Sequence, residues 1–246
     1  LEQYHAYWLT PPHYIAATGL SRYHALGEGP APEVVHGEKD AAGHSHYERV
    51  CDALRDHQAP EPWMERVYDR AAHSLTADGY RDDRTVRESG FDLTHRFGFC
   101  GLQARDYLPV CLNTLLWVME KDIAAIRRQL ECVPETIAHW ENRAEARGRQ
   151  MQTYFWDESA GLFHDWQLER HQRSGYAYAT TFMPLWAGWA TQEQAAAVVR
   201  RLPEFLAPGG LLTSLTTTGC QWDAPFTWSP LVLMNSRGLA DYGFAA

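Results

Sequence analysis

The residues of this chain whose types and spacing could do chemistry are carboxyl groups set beside aromatic rings. In Glu88-Ser89-Gly90-Phe91-Asp92-Leu93-Thr94-His95-Arg96, Asp92 follows an aromatic residue and Gly90 permits a tight backbone approach. A carboxylic acid against an aromatic wall is partly desolvated. Its pKa rises, and a proton stays available for a leaving oxygen. The same residue types also serve a plain structural role, with Asp92 capping a helix start or closing a turn. A second segment, Gln221-Trp222-Asp223-Ala224-Pro225-Phe226-Thr227-Trp228-Ser229-Pro230, packs two Trp, one Phe and two Pro into ten residues. It reads as a rigid aromatic corner whose Gln221 and Asp223 could hydrogen-bond sugar hydroxyls. It reads equally as a packed loop entering a helix, with the prolines at its boundaries. In a third segment, Leu108-Pro109-Val110-Cys111-Leu112-Asn113, Asn113 reads as a cap before it reads as a hydroxyl partner.

The elements that must position these groups are helical. Met64, Val67, Tyr68, Ala71 and Leu75 fall at helix spacing after Pro62, a good first-turn residue. Leu108 to Leu130 carries a longer stripe, and Ile137 to Phe155 a third, opened by Pro134. The turn between these two, at Cys132–Pro134, requires them to pack antiparallel. Tyr178 to Trp189 is apolar on most sides and predicts a buried helix, with a kink or break at Pro184. Thr191-Gln192-Glu193-Gln194 is a capping box before an apolar face, and Trp228 to Tyr242 reads as a final helix. Leu211 to Thr218 is the one β-favouring run. The expectation is an all-α chain of helical hairpins, an (α/α) toroid or solenoid. Residues 13–60 lack periodicity and predict a long loop over the substrate mouth.

Composition narrows the function classes. The net charge of −9, with no long Lys/Arg run, argues against nucleic acid and is compatible with a neutral substrate. No 18-residue apolar window exists to span a membrane. Five cysteines, odd in number and without a CxxC pair, argue against a disulfide framework or a thiolate zinc site. They lean towards a reducing compartment, cytoplasmic before periplasmic. The 10 Trp and 12 Tyr either stack on sugar rings or fill a large core. His36, His44 and His46 share a loop with Glu33, Glu38 and Asp40, but they lack the helical i,i+4 pair of a metal site, so no metal is assigned. Asp82-Asp83 lacks the third acid of the motif found in helical terpenoid enzymes, because Arg84-Thr85-Val86 follows.

Taken in order, the three segments resemble the trehalase family of glycoside hydrolases along nearly the whole chain. Ser89-Gly90-Phe91-Asp92 resembles the family's catalytic-acid motif, with Arg96 matching the basic residue after it. Pro109 to Asn113 resembles its PVDLN stretch, and Gln221 to Pro230 its tryptophan signature, QWDxPxGWxP. Tyr154 to Asp157, Gly161 to Phe163 and Pro208 to Leu211 match smaller family segments. Pro30-Ala31-Pro32-Glu33 is similar to a sugar-binding PRPE loop. The resemblance implies an (α/α)6 barrel that hydrolyses α,α-trehalose with inversion, with no metal or organic cofactor. It puts the general acid on Asp92 and substrate contacts on Glu33, Gly90, Gln221 and Trp222.

The departures from the family pattern bear on substrate. Ala31 stands where the PRPE loop has arginine, Cys111 where PVDLN has aspartate, and Thr227 at the small residue before the second signature Trp. Arg22 is nearby in sequence but matches a different family position. The family's general base is a glutamate downstream of the tryptophan signature, and no residue here is assigned to it. An inverting enzyme sets two carboxyls roughly 6.5–9.5 Å apart, one to protonate the leaving oxygen and one to activate water. The expectation is therefore one incomplete catalytic domain, residues 1–246, forming part of a barrel and inactive by itself. The alternatives are a relative that cleaves another α-glucoside and a sugar-binding helical fragment with no turnover.

Overall fold

The computed structural model of the chain describes residues 1–37, 39–57 and 61–244. Its helices are α1 (Glu2–Trp8), α2 (Pro32–Val35), α3 (His46–Asp56), α4 (Pro62–Val67), α5 (Ala77–Glu88), α6 (Val110–Gln129), α7 (Pro134–Phe155), α8 (Met183–Trp186), α9 (Gln192–Phe205) and α10 (Ser229–Asp241). Two-residue strands form small antiparallel sheets between them: β1 (Tyr14–Ile15) with β2 (Leu20–Ser21), β3 (Tyr68–Asp69) with β4 (Ser74–Leu75), β6 (Trp156–Asp157) with β7 (Leu162–Phe163), and β10 (Leu206–Ala207) with β11 (Gly210–Leu211). The remaining sheet orders β5 (Tyr107–Leu108), β8 (Trp166–Gln167) and β9 (Gln172–Arg173) side by side. No helix among the described residues is long and apolar enough to cross a membrane. The chain divides into two compact units, one of Leu1–Arg22 with Tyr107–Ala246 and the other of Tyr23–Asp106.

The larger unit is built on the expected antiparallel pair. Arg147 of α7 reaches Glu120 near the middle of α6, and Arg128 of α6 reaches Glu141 of α7 near the connecting turn. Ile123 and Ala124 bury against Trp140 between them, so part of the tryptophan content is core. The Thr191 capping box closes as its letters require: Thr191 Oγ1 accepts from Gln194 N (3.2 Å), and Gln194 Oε1 accepts from Thr191 N (3.0 Å). The buried helix expected over 178–189 is instead a 3-10 turn, Ala179–Phe182, running into the single α turn of α8. Pro184 sits in the first turn of α8, where its missing N–H costs nothing, so the proline starts the helix rather than kinking it.

The smaller unit departs from expectation twice. The stripe from Met64 to Leu75 is not one helix: α4 stops at Val67, and Tyr68 pairs with Leu75 across a tight turn. Asp69 forces that turn, because its Oδ1 accepts from Ala71 N (2.9 Å) and Ala72 N (3.0 Å). The helix comes afterwards, as α5, with Thr76 Oγ1 accepting from Gly79 N (3.1 Å) as its N-cap. Its run of Arg and Asp residues hides it from an apolar-periodicity reading. Residues 13–60, expected as one long loop, hold β1, β2, α2 and α3 among their described positions. Ser45 and Glu48 form a reciprocal capping box that starts α3, and Val50, Cys51 and Leu54 bury its apolar face against Met64, Val67 and Leu102.

Candidate active site

The candidate acid in the smaller unit is placed by the end of α5. Ser89 closes the helix, and Gly90 takes φ +77°, the left-handed conformation that a helix C-terminus needs one residue past its cap. Gly90 N donates to Arg87 O (2.9 Å), and Phe91 N donates to Ser89 Oγ (3.1 Å). The glycine therefore has a conformational role: it turns the chain so that Asp92 projects beyond the helix end. Asp92 is no N-cap, since the next helical turn begins at Phe99. Phe91 is buried with the guanidinium of fully buried Arg96 5.0 Å from its ring centroid.

Asp92 is half-buried, and that burial holds its carboxyl above the usual carboxylate range. The Arg87 guanidinium pulls it back down, while Asp83 and Glu33 push it up. Arg87 Nη1 lies 3.3 Å from Asp92 Oδ2. The rest of the Arg87 fork grips buried Asp83 in a bidentate pair, Nε to Oδ2 and Nη2 to Oδ1, both 3.0 Å. Asp83 also accepts the Tyr47 hydroxyl (2.9 Å) and lies 3.3 Å from His46 Nε2. Burial raises the Asp83 carboxyl, but the hydrogen bonds from His46 and Arg87 outweigh it and leave Asp83 below the usual range. Burial, with the Asp83 charge beside it, pushes the Tyr47 hydroxyl well up, so Tyr47 stays a donor.

The segment carrying Glu33 is stitched onto α5. His24 N donates to Glu88 Oε2 (2.7 Å) and Ala25 N to Thr85 Oγ1 (3.0 Å). Arg84 donates to the carbonyls of Gly29 (2.8 Å) and Pro30 (2.9 Å). Ala31 N donates to the Tyr47 hydroxyl oxygen (2.8 Å). Glu33 follows in the exposed first turn of α2, near enough to Asp92 to raise it. Ala31 itself is buried at the N-cap of α2. The structure thus gathers Glu33, Gly90 and Asp92 into one unit. Asp83, Arg87 and Tyr47 complete the arrangement and were not among the residues expected from sequence. The signal for Asp83 and Arg87 was their i,i+4 spacing, with Arg87 five residues before Asp92; nothing local signalled Tyr47.

Gln221 and Trp222 lie in the larger unit. Trp222 stacks on Trp228 with ring centroids 4.3 Å apart and planes 13° from parallel. Trp228 Nε1 donates to Gln221 O, and the Tyr178 hydroxyl donates to Trp222 O, each at 2.8 Å. The Gln221 side chain is exposed. Asp223, expected as a possible hydroxyl partner, is instead fully buried and accepts from Thr218 Oγ1 (2.7 Å), so it shapes the turn. Asn113 is no cap either, because it sits one turn inside α6. Its Oδ1 accepts from Ser21 N and its Nδ2 donates to Ser21 O, which clamps β2 to the helix. The N-terminus of α6 is capped from a distance, by Asp165 Oδ1 accepting from Val110 N (2.8 Å).

The residues weighed as a metal loop are engaged separately. Asp40 Oδ1 accepts from Ala42 N and His44 N in a turn, and His46 turns to Asp83. Glu38 lies outside the described residues.

Comparison with known proteins shows the family. The sequence profile of the trehalase family matches residues 1–246. A probable trehalase of Eremothecium gossypii is 34% identical over 99% of this chain and 34% of its own length. A cytosolic neutral trehalase of Pyricularia oryzae is 33% identical over 99% of this chain and 36% of its own. The chain thus spans about a third of the length of the curated relatives it matches. Among solved structures, neutral trehalase Nth1 from Saccharomyces cerevisiae superposes with a TM-score of 0.74 and 31% identity, over 96% of this chain and 45% of that one. Its fold class is the (α/α)6 toroid, and the helical hairpins of this chain are a partial stretch of that fold. From the Asp92 segment through the stacked tryptophans, the chain belongs to the trehalase family.

Proposed function

We propose that the protein carrying this chain hydrolyses α,α-trehalose to glucose with inversion, using Asp92 as general acid. The observation that carries the reading is the Asp92 carboxyl. It stands beyond the Gly90 turn, is half-buried, and is held above the usual carboxylate range while still reaching solvent. Such a group keeps its proton where an exposed aspartate has lost it, and it can give that proton to the departing glycosidic oxygen. Glu33 supplies a hydroxyl acceptor on the same unit. Gln221 and Trp222 supply a polar edge and an aromatic face from the tryptophan signature, and Gly90 a backbone contact. No residue of this chain is assigned as the base that activates water. The names of curated relatives, cytosolic neutral trehalases, support a cytosolic setting and trehalose as the substrate.

A second reading, cleavage of a different α-glucoside, is favoured by one observation. Ala31 stands where the family loop has arginine, and it is buried at a helix start, so that position offers no charge to a sugar. Assaying the whole protein on trehalose, maltose and glucosylglycerate separates the two. Trehalose turnover that releases one β-glucose, seen by NMR before mutarotation, supports the first reading. Preference for either other substrate overturns it in favour of the second.

A further inference from the structure

The Asp92 reading leaves a buried aspartate without a task. Asp83 is 3% exposed at its side chain, lies two turns of α5 before the Gly90 turn, and has its oxygens engaged by three side chains from two helices. A buried carboxylate is costly, so its partners have to be close and well aligned. Here those partners are the parts of the candidate site that need orienting. The Arg87 fork is fixed on Asp83 by two parallel 3.0 Å bonds, which leaves Nη1 directed at Asp92. The Tyr47 hydroxyl is fixed on Asp83 at 2.9 Å, which aims its oxygen at Ala31 N, two residues before Glu33. One unbroken line of hydrogen bonds therefore runs from the Glu33 turn through Ala31 N, Tyr47, Asp83 and Arg87 to Asp92.

We propose that Asp83 is the positioning residue of this site, holding Arg87 against Asp92 and, through Tyr47, holding the turn that carries Glu33. The inference rests on the reading of Asp92 as the acid. Asp83 touches no substrate in it and acts through its two partners. Among the described residues, the charged groups that act on Asp92 include Arg87 and Asp83 on α5 and Glu33 on α2. Those facing Asp83 include Arg87 on its own helix, Asp92 beyond the helix end, and His46 and Tyr47 on α3. Removing the Asp83 charge has a defined sign. Asp83 pushes the Asp92 pKa up, and it occupies most of the Arg87 fork. Without it, repulsion disappears and Arg87 is released towards Asp92, and both effects lower the acid's pKa.

The test compares Asp83→Asn, Tyr47→Phe and Asp92→Asn in the whole protein, with kcat, KM and the pH profile on trehalose and folding followed by circular dichroism. Asp83→Asn is expected to lower kcat by up to about 100-fold, the cost of a misplaced catalytic group. It should also move the alkaline limb of the profile to lower pH. Tyr47→Phe should raise KM with a smaller change in kcat, because the tie between Asp83 and the Glu33 turn is cut while the Arg87 fork stays on Asp83. If Asp83→Asn does not fold, Tyr47→Phe carries the test alone, and wild-type KM in it overturns the proposal. A folded Asp83→Asn with unchanged kcat and an unmoved alkaline limb also overturns it, while an inactive Asp92→Asn leaves the acid assignment standing. Substantial activity in Asp92→Asn, or no glycoside turnover by the wild type, removes the acid assignment and this proposal together.

Discussion

Arg87 donates to Asp92 from one nitrogen of its fork while its other two nitrogens grip Asp83. The cation therefore belongs structurally to Asp83 and only leans on Asp92 at 3.3 Å. That asymmetry matters for an acid. A full bidentate pair with Asp92 would strip its proton, whereas a single long contact leaves burial as the dominant influence.

The first expectation concerns the acid itself. Asp92→Asn keeps the shape and the acceptor facing Arg87 but removes the transferable proton. The whole protein should keep its circular dichroism spectrum and lose about 100- to 10,000-fold in kcat on trehalose. Near wild-type turnover would remove Asp92 from the mechanism.

The second concerns pH. A general acid works while protonated, so activity falls as pH rises through the Asp92 pKa. Arg87 lowers that pKa, so Arg87→Gln should raise it and carry the alkaline limb to higher pH, opposite to the shift expected for Asp83→Asn. Arg87→Gln also leaves buried Asp83 poorly compensated, and a lower melting temperature should accompany it. An alkaline limb that moves down in Arg87→Gln contradicts the electrostatics described here.

The third separates two glycines at opposite ends of α5, Gly79 in its first turn and Gly90 just past its cap. A Cβ on Gly79 would lie 2.2 Å from Val67 O, where backbone meets backbone and nothing flexible can yield. Gly79→Ala should cost roughly 1–3 kcal/mol or more and displace the start of α5. Gly90 has nothing within 4 Å of its would-be Cβ, and only its φ of +77° opposes substitution. Gly90→Ala should cost about 1–2 kcal/mol. Urea titration of both variants gives the order, and equal losses would contradict it.

The fourth tests the core of the larger unit. Glu120 is fully buried, with His5 at 2.8 Å and the Arg147 fork at 2.9 and 3.0 Å. Arg147 Nη1 also donates to Asn113 Oδ1, the same oxygen that accepts from Ser21 N. Burial raises Glu120, but the hydrogen bond from His5 and the Arg147 charge outweigh it and hold the group below its ordinary value. A lowered carboxylate contributes stability that is present above its unfolded pKa and lost as pH falls through the folded one. Arg147→Met should therefore destabilise by about 3–5 kcal/mol near neutral pH, and by less in acid, where Glu120 is neutral. Thermal melts at two pH values read the difference. A penalty that grows on acidification would show that the network does not work this way.

How much of this was legible in the sequence varies by element. The long pair α6 and α7, the Thr191 box and the final helix were readable because apolar spacing and capping letters are local properties. The motif order around Asp92 and Trp222 pointed to the family for a similar reason, since it lies in the letters themselves. Helix α5 was hidden because its buried side chains include Asp82 and Asp83, and a polar residue says nothing about burial until its partner is known. The same holds for Asn113 and Asp223, which a local reading takes for a cap and a sugar contact. In the fold they serve a strand 92 residues away and a turn.

By itself, then, the chain's order of residues determined helix periodicity, turn chemistry and the identity of the candidate acid. Apart from the i,i+4 pair of Asp83 and Arg87, tertiary structure decided which charges meet. Whether Asp92 keeps a proton depends on how much water reaches it and where Arg87 is anchored; the anchor, Asp83, is four residues away on the same helix, but Asp83 is itself held by His46 and Tyr47, distant in the chain. Burial and Coulomb interaction act through space, and spacing along the sequence does not encode them.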